Sequence, residues 1–108
     1  MKESDWKIFK LIKQKAIEKF CETALNDFSS VIENDQQHIH ERYITLYRLV
    51  RERDKEMTKL FEGHSRSKAG FQLLFIRREG LCDEKLLQKL SEEFLNDTDP
   101  KRIELSAT

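Results

Sequence analysis

Glycine occurs three times and proline once in this 108-residue chain, too seldom to supply the tight turns that a sheet needs at each reversal. Apolar side chains instead recur at three- and four-residue spacing. Trp6, Phe9, Ala16, Ile17, Phe20, Ala24, Phe28 and Val31 mark one face over residues 5–33, the period of a buried helical stripe. Asn34 and Asp35 interrupt it. A second stripe over residues 36–62, Ile39, Tyr43, Leu46, Tyr47, Val50, Met57, Leu60 and Phe61, falls within an arc of about 140° and stops at Gly63.

Two shorter helices follow. Ser65 or Ser67 caps one over residues 68–79, which Gly80 ends as a left-handed terminator. Asp83 caps the other over residues 83–96, with Cys82 placed to pack on Leu87 as a hydrophobic staple. Residues 97–100 close regular structure, leaving 99–108 as a flexible tail beyond one domain of residues 1–98. Short connections make successive helices antiparallel neighbours, so the predicted fold is an all-α antiparallel bundle of two long and two short helices.

Charged residues make up 37% of the chain, but they interleave with regular apolar positions and therefore read as solvated helix faces rather than disorder. A mass of 12.9 kDa gives room for one core. No apolar leader opens the chain and no stretch approaches bilayer length, which predicts a soluble cytoplasmic protein with no membrane role. Cys21 and Cys82 lack the paired spacing of zinc or redox motifs and read as small core thiols in a reducing compartment. The formal net charge is zero, without the basic excess of a dedicated nucleic-acid binder.

Polar residues inside an apolar arc imply a partner, because an unpaired buried charge is costly. Lys13, Arg53 and Asp54 are such residues. A hairpin turning at Asn34 and Asp35 makes facing positions sum to about 69 and sets Lys13 level with Asp54, so a buried ion pair is expected, structural rather than ligand-binding. His38, His40 and Glu41 suggest a metal at first sight. Two histidines at i and i+2 point about 200° apart on a helix, however, and His-Glu-x-x-His would need His where the chain has Ile44. No metal or cofactor is expected.

The segment from Phe71 to Leu90 invites a helix-turn-helix reading, but Ile76 stands where a small residue is needed and the would-be recognition helix carries Asp83, Glu84, Glu92 and Glu93. Nucleic acid is thus an unfavoured partner. Arg42, Arg48, Arg51, Arg66, Arg77 and Arg78, joined by Lys68, form a candidate anion-binding surface, since the guanidinium fork suits phosphate and carboxylate. Pairing with Glu52, Glu56 and Glu79 is the plainer reading. The Lys-rich start of the first helix, with Trp6 and Phe9, serves a bundle core better than an anionic membrane. No nucleophile elbow, phosphate loop or paired catalytic carboxylate is present, and Cys82 has no histidine placed to assist it, which leans away from an enzyme.

The third helix is apolar nearly all round, with Ala69, Leu73 and Ile76 on one face, Phe71 and Phe75 opposite and Leu74 between. Such a helix must be enclosed, by its own bundle or by a second copy. A homodimer is predicted, with Phe71, Leu74 and Phe75 at its interface and Leu11 and Leu25 as secondary contacts. The functional expectation is a non-catalytic helical interaction module that self-associates and offers a charged surface to another protein. The alternative is a nucleic-acid or anionic-ligand binder using the arginines of the second helix and the loop after it.

Overall fold

A computed structural model of the chain describes residues 1–102. It is all-α, with α1 Glu3–Glu33, α2 Ile39–Phe61, α3 Arg66–Arg78, α4 Glu84–Leu87 and α5 Glu92–Asp97. At 31 residues, α1 runs about 46 Å with no glycine or proline to break it. Glu3 and Asp5 in its first turn suit the positive end of the helix dipole. At its other end Asn34 Oδ1 accepts the Gln36 N–H at 3.1 Å, and the Arg42 guanidinium donates to the Ile32 carbonyl at 2.7 Å, a last-turn acceptor with no helical partner of its own. This turn occupies residues 34–38, so α2 starts at Ile39 instead of Gln36.

Gly63, with φ of 85°, turns the chain out of α2. Its loop is held by Gln72, whose Nε2 donates to the carbonyls of Glu62 at 2.8 Å and Gly63 at 3.1 Å. Helix α3 ends in paired bonds from Leu81 N–H to the Ile76 carbonyl (3.0 Å) and from Gly80 N–H to the Arg77 carbonyl (3.1 Å). That is the Schellman closure, and Gly80 at φ of 71° fills its left-handed position at no steric cost.

The single fourth helix expected over 83–96 is two short ones. Ser91 N–H is taken by Asp5 Oδ1 at 2.8 Å, so it cannot continue the helical ladder, and the Ser91 hydroxyl accepts the Phe94 N–H to start α5 afresh. Asp83 does cap α4, accepting the Leu86 N–H at 2.9 Å. Of the tail expected over 99–108, Lys101 and Arg102 are helical and Lys101 N–H bonds Asp99 Oδ1 at 3.0 Å. Residues 103–108 lie outside the described residues.

The core gathers at one end. Phe9, Ile12, Ala16, Leu73 and Ile76 are buried together with Trp6, Phe61, Ala69, Leu86 and Leu90. Among the described residues none from Leu25 through Leu60 is buried. The radius of gyration is 17.0 Å, against about 13 Å for a compact domain of this length. The excess is the far half of the α1–α2 hairpin, an arm that projects past α3, α4 and α5. No helix among the described residues is long and apolar enough to cross a membrane.

Candidate interaction surface

Within the arm the two helices meet along a seam that advances by three and four residues. Ile17, Cys21, Ala24, Phe28 and Val31 of α1 face Arg42, Leu46, Leu49, Arg53 and Leu60 of α2, and all of these are buried or half-buried. In an antiparallel pair the positions just before and just after the seam fall on opposite flanks. One flank carries Phe20, Asp27 and Lys59, which with Phe75 and Arg78 of α3 line a groove of about 810 Å³. The other flank carries Leu25 and Ile32 of α1 and Tyr43 and Val50 of α2. All four are exposed, at 64, 55, 70 and 43%. Ile39 and Tyr47 extend the patch, and Leu11 continues its α1 line toward the core end.

The α2 line shows directly what is missing. Tyr43, Val50 and Met57 recur every seven residues, and Tyr47 and Phe61 lie on the adjoining line. Phe61 is buried, with its ring 6.0 Å from Phe20, and Met57 packs against the core. The same stripe is therefore covered at its lower end and bare above. The sequence reading assigned Ile39, Tyr43, Tyr47 and Val50 to the buried face. Their exposure corrects it, because α3 packs along the opposite flank, where Phe75 and Arg78 meet Phe20, Asp27 and Lys59.

Lys13 is buried, at 6% exposure, but its partner is the Gly63 carbonyl. Asp54 is exposed, so the expected Lys13–Asp54 pair does not form. Arg53 forms ion pairs with Asp27 at 3.6 Å and Glu56 at 3.1 Å, and Arg42 meets Ile32. Facing positions therefore sum to about 74–80, which sets Asp54 roughly 10–20 Å along α1 from Lys13. Burial, followed by the nearby Lys68 ammonium, lowers the pKa of Lys13 from its ordinary value.

Of the expected dimer contacts on α3, Leu74 is buried within its own chain and Phe75 is half-buried, while Phe71 stays 72% exposed. The chain's own bundle thus encloses most of α3. Leu11 and Leu25 are exposed as expected.

The arginines do not converge. Arg66 pairs with Glu3 at 2.6 Å and Arg42 with Ile32, positions about 43 Å apart on α1. Arg77 is engaged with the Leu95 carbonyl (2.7 Å) and Thr98 Oγ1 (3.0 Å). Arg51 lies over the Tyr47 ring at 5.7 Å, and Arg48, Lys68 and Arg78 are exposed. His38 and His40 sit at the arm tip while His64 lies against Trp6, 5.2 Å between rings tilted at 52°. Among the described residues no three His, Cys, Asp or Glu gather as a metal site. Burial raises the Cys82 thiol to about 11, the opposite of an activated nucleophile. The Asp83 carboxyl is held below its usual value, chiefly by the Leu86 N–H it accepts.

Sequence reasoning missed the Asp5–Ser91 contact. Asp5 is 3% exposed and accepts both the Ser91 N–H and, at 2.6 Å, its hydroxyl. The sequence reading gave Asp5 no role beyond marking the start of the first helix. Comparison of the chain with protein-family models, with curated proteins and with solved structures gives no match in any of the three.

Proposed function

We propose that this chain is a non-catalytic interaction module that self-associates through the bare flank of its helical arm. The carrying observation is the half-covered stripe, in which Met57 and Phe61 pack in the core while Tyr43, Tyr47 and Val50 on the same two lines stand in solvent. The two tyrosines alone expose on the order of 250 Å², and with the exposed Leu25, Ile32, Ile39 and Val50 beside them the patch passes the few hundred Å² beyond which exposed apolar surface points to an interaction site. A further support is chemical. The dispersed arginines form no single anion cradle among the described residues. The two free cysteines suit a reducing, cytoplasmic setting.

Light scattering across the micromolar range tests the proposal. A mass twice 12.9 kDa is expected, returning to the single mass in Tyr43→Glu and Val50→Glu. Phe71→Glu on α3 is expected to keep the doubled mass. A single-chain mass at every concentration overturns the reading.

A further inference from the structure

We infer that the occupant of the bare flank is the same flank of a second copy, with the two-fold axis along the arms, so that α1 of each copy lies across α2 of the other and both tips point the same way. This rests on the self-association proposed above and adds the arrangement. Three observations carry it.

The first is charge. Between Lys19 and Arg42 there is no Lys or Arg, and residues 20–38 hold Glu22, Asp27, Glu33 and Asp35, a net of −4, of which Asp27 lies on the groove flank and already pairs with Arg53. Over residues 39–53 of α2, four arginines stand against two glutamates, a net of +2. A two-fold axis across the arms would stack α1 on α1 and set these carboxylates against one another at separations near the Debye length of about 8 Å. An axis along the arms sets the acidic helix against the basic one. Like charges brought together select against the wrong arrangement more strongly than opposite charges reward the right one.

The second is level. An axis along the arms preserves height, so residues that are level within one chain are level between chains. The bond from Arg42 to Ile32 fixes that level near the tip and Lys13 to Gly63 fixes it near the base. On this register Ile32 meets the partner's Tyr43 and Leu25 meets its Val50. Both pairs match at once because each helix spaces its two residues by seven. The third is packing: each helix of the resulting four gains an antiparallel neighbour, the arrangement of up-down bundles. Glu22 and Arg51, neither of which makes an ion pair among the described residues, come within about a turn of each other at the rim.

The experiment uses the full chain with Cys21→Ala and Cys82→Ala. Leu25→Cys and Val50→Cys are introduced in separate chains, mixed, oxidised and weighed by mass spectrometry, with helicity checked by circular dichroism. The mixed disulfide is expected to exceed either self-disulfide at least fivefold, since a bridge needs Cα atoms within about 7 Å. A predominant self-disulfide of the Leu25→Cys chain overturns the arrangement. A doubled mass with no disulfide of any kind also overturns it and leaves self-association standing, whereas a single-chain mass throughout overturns both readings. As an independent readout, Glu22→Arg and Arg51→Glu are each expected to raise the dissociation constant about tenfold, and together to restore it to within about threefold. Additive losses overturn the pairing of α1 with the partner's α2.

Discussion

Two faces of α1 have similar sequence texture and opposite fates. From Asp5 to Ala16 its apolar face is sealed by α3, α4 and α5, leaving Phe9, Ile12 and Ala16 with no exposure. On another face the line of Leu11, Leu25 and Ile32 has no cover of that kind, and all three residues are more than half exposed. Apolar periodicity specifies that a helix has a face to cover. It does not specify what covers it. At the base the cover is in the same chain, and along the arm the proposal places it in another.

The largest effects should expose that contrast. Phe9→Ala removes a fully buried ring and is expected to cost about 3–5 kcal/mol, whereas Tyr43→Ala should cost the isolated chain no more than about 0.5 kcal/mol. Urea unfolding at concentrations below association measures both. Equal losses would mean that the arm is packed as tightly as the base and would break the comparison. Carboxylates provide a second contrast. Asp5→Ala strands the Ser91 N–H in the core end and should cost about 2–3 kcal/mol. Asp27→Ala, which loses a 3.6 Å pair with Arg53 from a half-exposed carboxylate, should cost less than about 1 kcal/mol. A smaller loss for Asp5→Ala than for Asp27→Ala would deny the Asp5–Ser91 link its role in anchoring α5.

Helical class, the two long helices, Gly63 and Gly80 as stops and Asp83 as a cap were legible because each depends on neighbours in sequence. Register was not. Moving the start of α2 from Gln36 to Ile39 was enough to separate Lys13 from Asp54. The break at Ser91 was hidden because its cause, Asp5, is 86 residues away. The bare flank was half visible in the width of the α2 stripe, too broad for one neighbour. Nothing local indicated that α3 would pack along the other flank and leave Val50 bare. The residues that carry the proposed interaction were thus read as core, for the same apolar character that suits them to an interaction surface.

Between the large effects and the small ones lies the arm tip. Arg42→Ala deletes the bond that ties the Ile32 carbonyl to α2 and should lower the local stability of the tip by about 1 kcal/mol, with little change in global unfolding. Native-state hydrogen exchange would show it as faster exchange confined to residues 30–42. Uniform acceleration through α3 would show that tip and base open as one unit, against the picture of a separately held arm.

The smallest effect is alkaline, and it belongs to the packed end alone. Two groups there titrate with opposite sign. Lys13 has a folded pKa below its ordinary 10.5, so between those values the unfolded chain binds the extra proton and stability rises with pH. Cys82 has a folded pKa of about 11 against an ordinary 9.0, so from pH 9 upward the unfolded chain loses its proton first and stability falls until about 11. The two slopes partly cancel in the native chain, and single variants separate them. Relative to the native chain, Cys82→Ala should gain stability from pH 9 to 11, and Lys13→Met should lose it as pH approaches 10.5. Tyrosine titration is common to all three chains and drops out of the differences. Urea midpoints at closely spaced pH values measure them, and parallel curves would refute both assignments. Self-association is expected to be unchanged by either substitution, because neither side chain reaches the bare flank. A dissociation constant that moved with Lys13→Met would tie the base to the arm and dissolve the division between them.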